Sequence, residues 1–258
     1  MIATLRAEWT KLRTLAVTGW LLLGAIALTI GVSAIVAAST HVMSGGGQED
    51  LPRLSLIGIY LGQAVIVILA VEAITEEYGT GMMRTTLMAM PRRLSVLAAK
   101  AASLAALAIV AGAIAVAGCL VSGRLLLPGA GLGPSHGYAL VSLGQTATLR
   151  AAVGSVLYLV LIALLSLGIA TAIRETALAI GAVLGLLYVL PVAAQVISDP
   201  HWHRLLERIA PMTAGLAVQA TANPHAQPIG PWAGLGVMAA WAAGSLVLGG
   251  LLLRLRDA

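Results

Sequence analysis

Charged residues in this chain stand in short knots separated by long uncharged runs. An ionised side chain near mid-bilayer costs about 2.5–3.5 kcal/mol on insertion scales, and about 20 apolar residues in a helix cross the hydrocarbon. Uncharged windows lie between Arg13 and Glu49, Arg53 and Glu72, Lys100 and Arg124, Arg150 and Arg174, Glu175 and Asp199, and ahead of Arg254. They predict spans at about 17–38, 55–75, 95–121, 151–173, 177–197 and 233–253, the second running just past Glu72. The expected fold is all-α: a polytopic membrane protein with six transmembrane helices, forming one transmembrane domain over 1–258.

Residues 1–16 repeat differently. Ile2, Leu5, Trp9 and Leu12 share one helical face, and Arg6, Thr10, Arg13 and Thr14 the other. That pattern suits a helix lying in the membrane interface. The apolar run that follows is too long for the core of a cleavable leader and is expected to be the first span. Residues 201–210 are also amphipathic. Trp202, Leu205, Leu206 and Ile209 face one way, Arg204, Glu207 and Arg208 the other, and Pro211 interrupts. A short interfacial or re-entrant helix before the last span is expected there. Pro191 predicts a kink just below it. Gly154, Ser155, Ser166 and Gly168 predict close helix contact.

Composition agrees. The chain is 59% hydrophobic and 10% charged, with a mean hydropathy of +0.97, against about 25% charged for a soluble domain. The net charge of +5 is basic. With so few charges, flanking of spans explains it better than nucleic acid does. With both termini inside, the inner segments hold Arg6, Lys11, Arg13, Arg84, Arg92, Arg93, Lys100, Arg174, Arg254 and Arg256. The outer ones hold Arg53, Arg124, Arg150, Arg204 and Arg208 over much longer loops. The basic bias predicts that the termini and residues 76–93 are cytoplasmic. The absence of Phe and the abundance of Ala, Leu, Gly and Val look like GC-rich codon usage, a hint of a bacterial source and no more. Cys119, the single cysteine, reads as a packing residue.

Catalytic readings find little support. His201 and His203 stand two apart, which on a helix is not one face. Ser44–Glu49 imitates an ATPase signature, but the chain has no phosphate-binding loop. Ser33, Ser155 and Ser166 have no histidine in any predicted span to activate them. No catalytic, cofactor-binding or metal-ligating residue is therefore expected. Glu72, an acid inside a predicted span, and the polar Gln63 and Gln195 are the intramembrane candidates; Glu72 could centre an ion-coupled site or simply reach the interface.

The remaining feature is Glu76–Lys100, EEYGTGMMRTTLMAMPRRLSVLAAK. Gly79 and Gly81 permit a sharp turn, Thr85 or Thr86 could cap a short helix, and Pro91 suits the first turn of the third span. Such a corner either docks in a groove on another protein or is an ordinary charged loop.

This stretch, E-E-Y-x-x-G-x-x-R-T-T-L-x-x-x-P-x-R, resembles the corner between the second and third spans of bacterial ABC-2 type transporter permeases. AEWTKLRT (Ala7–Thr14) with Trp20, Ile169–Pro191, APMTAGLAVQA and Pro231–Ala258 are similar to other parts of that family. Gly81-Met82-Met83 departs from the Gly-Thr-Ile common in relatives. The resemblance implies the permease subunit of an ATP-driven exporter in a bacterial cytoplasmic membrane. Two such subunits, identical or not, would enclose a pathway, and separate ATPase subunits carrying ATP and Mg would grip the corner. It assigns ATPase coupling to Glu76, Glu77, Tyr78, Gly79, Gly81, Arg84, Thr85, Thr86, Leu87, Pro91, Arg92 and Arg93. Lipid is the other implied partner, and the substrate is not specified. An ion-driven carrier centred on Glu72 and a non-transport immunity or sensor component are the alternatives.

Overall fold

The computed structural model describes residues 16–40, 49–79, 93–134, 138, 140–196, 199–222 and 227–255. Six helices are long and apolar enough to cross a membrane, so the chain is an all-α multi-pass membrane protein. Span one is α1 (Ala16–Ser39). A short α2 (Leu51–Ser55) leads into span two, α3 (Ile59–Gly79). Span three is α4 (Arg93–Leu126), extended by a 3₁₀ turn at Leu127–Ala130. Span four is α5 (Thr146–Ile173). Span five is α6 (Thr176–Leu184), a π-helical segment Gly185–Val189, and α7 (Leu190–Val196). Then come α8 (Pro200–Ile209), α9 (Pro211–Leu216) with a 3₁₀ turn Ala217–Gln219, and span six, α10 (Pro231–Leu255). The N-terminal interfacial helix and the corner residues Gly81, Arg84, Thr85, Thr86, Leu87, Pro91 and Arg92 lie outside the described residues.

Spans two and four are the most buried, and the most extensive packing is between spans four and six. Spans one, five and six turn apolar side chains outward: Trp20 is 74% exposed and Val196 78%. In water these would be a liability; in lipid they are the solvent-facing wall. Residues 16, 79, 93, 174 and 255 fall at one end of the bundle, here the termini face. The described parts of the connections after spans one, three and five form the opposite, loop face.

Small residues set the helix spacing, because lipid leaves van der Waals contact as the main cohesive force. A Cβ on Gly168 would stand 2.5 Å from the Ser245 backbone, one on Gly154 2.2 Å from Val218, and one on Gly234 2.0 Å from the Ala214 carbonyl. A Cβ on Gly58 would stand 1.9 Å from the Thr29 carbonyl. That approach lets the Gly58 N–H donate to Ser33 Oγ at 2.9 Å. It also explains why span two begins at Ile59 rather than near 55: Asp50 caps α2 as a separate helix, and the chain bends at 56–58 to meet span one. Span three overruns its expected end because Arg124 is already exposed at the helix margin and does not stop it.

The amphipathic helix at 200–209 is followed by an element that the sequence pattern alone reads as loop. Residues 211–220 re-enter the bundle between spans four and six, and nearly all are buried.

Candidate functional site at the base of spans two and three

The last two turns of α3 carry Glu72, Glu76, Glu77 and Tyr78. A helix C-terminus presents carbonyls and a partial negative charge, which an adjacent cation relieves. Lys100 supplies it from the second turn of α4. Its ammonium lies 2.8 Å from Glu77 Oε1 and donates to the Ala73 carbonyl at 3.0 Å. Both residues are buried. Each charge is therefore paired where an isolated one would be prohibitive.

Tyr78, the next residue, faces the elbow between spans four and five. Arg174 ends α5 with φ 63°, and its N–H donates to the Ala170 carbonyl. Among the described residues it is the one non-glycine with positive φ, a left-handed backbone that such residues rarely adopt. That conformation places its guanidinium 5.1 Å from the Tyr78 ring centroid, a cation–π arrangement. Glu175 then caps α6, its carboxylate accepting from the Ala177 and Leu178 N–H groups. Leu94 and Leu97 of span three lie against Gly250 of span six. Spans two to six thus meet around the roots of the 80–92 corner.

The sequence-assigned residues fall out as follows. Glu76 is exposed at this face and Glu77 is turned inward to Lys100. Gly79 is the last helical residue of span two, and the turn expected after it falls on residues outside those described. Arg93 begins α4. Glu72 is half-buried, one turn before Glu76, and its Oε2 has no hydrogen-bond partner among the described residues. Gln195 is exposed near the loop face, apart from the others.

Gln63 belongs to a second polar cluster, in the loop-face half. It is fully buried. Its Oε1 accepts from the Tyr158 hydroxyl at 2.5 Å, and its Nε2 donates to the Tyr60 carbonyl and to Met212 Sδ. The Tyr188 hydroxyl donates to that same Tyr60 carbonyl. Gln219 Nε2 donates to Ser155 Oγ at 3.0 Å. At the loop face itself, Asp50 accepts from the N–H groups of Arg53, Thr221 and Ala222 and from the Thr221 hydroxyl, while Arg150 Nη2 donates to the Ala220 carbonyl.

The histidine pair does not converge. His203 Nδ1 is 2.8 Å from the Ala194 carbonyl and its Nε2 3.4 Å from Glu207, while His201 is exposed with its ring edge-on to Trp202. The serines weighed as nucleophiles are used in packing: Ser33 and Ser155 as above, and Ser166 Oγ donating to the Ile162 carbonyl.

Comparison with known proteins adds no assignment: no family model matches the chain, and no curated protein matches it.

The Lys100 partnership escaped the sequence reading. Its signal was present: an acid and a base, each inside the apolar end of adjacent antiparallel spans, must either pair or pay for burial. Tyr158 carried no such signal, since a tyrosine in an apolar run is ordinary.

Proposed function

We propose that this chain is the transmembrane subunit of an ATP-driven exporter in a bacterial cytoplasmic membrane, with its termini face cytoplasmic. Residues 76–93 receive force from a separate ATPase subunit, on which ATP and Mg are bound and hydrolysed. A second permease subunit completes the pathway. The likeness of Glu76–Lys100 to ABC-2 permease corners supports this reading. The observation that carries it is the mechanical fastening at the corner's roots. The Glu77–Lys100 pair joins the helices on either side of the corner, and Arg174 on Tyr78 extends the junction to spans four and five. A push on the corner would then displace several spans together, as alternating access requires.

An ATPase reading frame beside this gene would supply the partner for the test. The two subunits reconstituted together should hydrolyse ATP, and Arg84→Ala should lower that activity with assembly intact. If no ATPase associates with the chain, or Arg84→Ala hydrolyses like wild type, the reading fails.

A second reading, an ion-coupled carrier, is favoured by Glu72, whose buried Oε2 has no hydrogen-bond partner among the described residues. Its mark would be transport by the isolated chain, driven by a proton gradient and lost in Glu72→Gln.

A further inference from the structure

Span five is not α-helical throughout. Pro191 has no N–H, so the Leu187 carbonyl one turn earlier lacks its α-helical donor, and the proline ring crowds it. The backbone responds with a π-helical segment at Gly185–Val189, wider than an α turn. Gly185 opens that segment with nothing within 4 Å of where a Cβ would stand. The outer side of the span is unobstructed: Leu178, Val189, Val192 and Val196 are all more than half exposed.

The pieces on either side are fastened to different places. The lower piece, Thr176–Leu184, follows directly from the elbow where Arg174 lies over Tyr78, at the foot of span two. The upper piece is held to the loop face. The Ala194 carbonyl is 2.8 Å from His203 Nδ1 of α8, and the Tyr188 hydroxyl, near the end of the π segment, reaches the Tyr60 carbonyl at the loop-face end of span two, the end about which that span's base would swing.

We propose that Gly185–Val189 is a hinge, allowing the lower piece of span five to move with the base of span two while the upper piece stays with the loop face. The inference draws on the exporter reading only for what drives the lower piece.

Paired spin labels test the hinge on the full chain in nanodiscs of phosphatidylethanolamine and phosphatidylglycerol, with Cys119→Ala as background. One pair, at Leu178 and Leu251, reports the lower piece; another, at Val196 and Trp232, reports the upper. Arg174→Asn removes the guanidinium while keeping a residue that tolerates positive φ. It should widen the lower pair's distance distribution by about two-fold or more and leave the upper pair unchanged. Deleting Gly185 together with Pro191→Ala converts the π turn to continuous α-helix. In that chain, Arg174→Asn should change both pairs equally or neither. Pro191→Ala alone serves if the deletion does not fold, and should reduce the difference between the pairs. The hinge is refuted if Arg174→Asn widens both pairs alike, or neither, in the native background, or if it still widens only the lower pair in the continuous helix. Every arm uses the chain without a partner. Failure here leaves the ATPase reading standing, and failure to bind an ATPase leaves the hinge.

Discussion

Lys100 and Glu77 face each other across the foot of spans two and three at 2.8 Å, with side chains only 3% and 4% exposed. The pair lies just inside the corner that joins the two spans. Breaking a buried pair strands the remaining charge, at a cost of about 3–5 kcal/mol. Lys100→Met should therefore destabilise the protein by that order in an SDS titration in mixed micelles. Adding Glu77→Leu should recover much of the loss. If Lys100→Met is as stable as wild type, the pair contributes nothing.

Glycine contacts give a sharper contrast within the membrane. Gly168→Ala sets a methyl against the Ser245 and Leu246 backbone, which cannot rotate away. Overpacking of this kind costs about 1–3 kcal/mol. Gly244→Ala has open space and should cost nothing, since alanine is the better helix former. Equal stabilities for the two variants would mean that spans four and six are not in this register.

The buried amide–phenol contact invites a double-mutant cycle. Gln63→Leu leaves the Tyr158 hydroxyl without its acceptor, and Tyr158→Phe removes the donor. Interhelical hydrogen bonds of this kind couple by about 0.6–1.7 kcal/mol in membranes. Additive single effects would show that the two side chains do not interact.

The spans were legible because charge is intolerable at depth, so the spacing of Arg, Lys, Asp and Glu marks their limits. Pro191 likewise announced an irregularity just below it in span five, expected as a kink, where the helix takes π form. What pairs across the bundle was not legible. Tyr158 is 95 residues from Gln63, and nothing local to either names the other. Residues 211–220 were hidden differently. The run is about half the length that crosses a bilayer, so its lack of charge did not distinguish it from a loop. Its burial depends on distant groups: Gly154 making room for Val218, Ser155 accepting from Gln219, and Arg150 capping the Ala220 carbonyl. At the corner, Glu76 and Glu77 looked equivalent in sequence. The helical turn sends one outward and the other to Lys100.

Asp50 ends the re-entrant segment by accepting from three N–H groups and one hydroxyl. Two of the N–H groups belong to Thr221 and Ala222, 171 and 172 residues along the chain. Asp50→Ala leaves these donors to water and uncaps α2 as well, a combined loss of about 1–3 kcal/mol. Local loosening should exceed the global effect, because only residues near 220 and the first turn of α2 lose their anchor. The expected result is faster protease cleavage between Ala222 and Pro231 in sealed, correctly oriented vesicles, with little change in cleavage elsewhere. Asp50→Asn keeps one acceptor oxygen and should fall between the two. Should Asp50→Ala cleave no faster than wild type, residues 220–222 are held by Arg150 and packing alone.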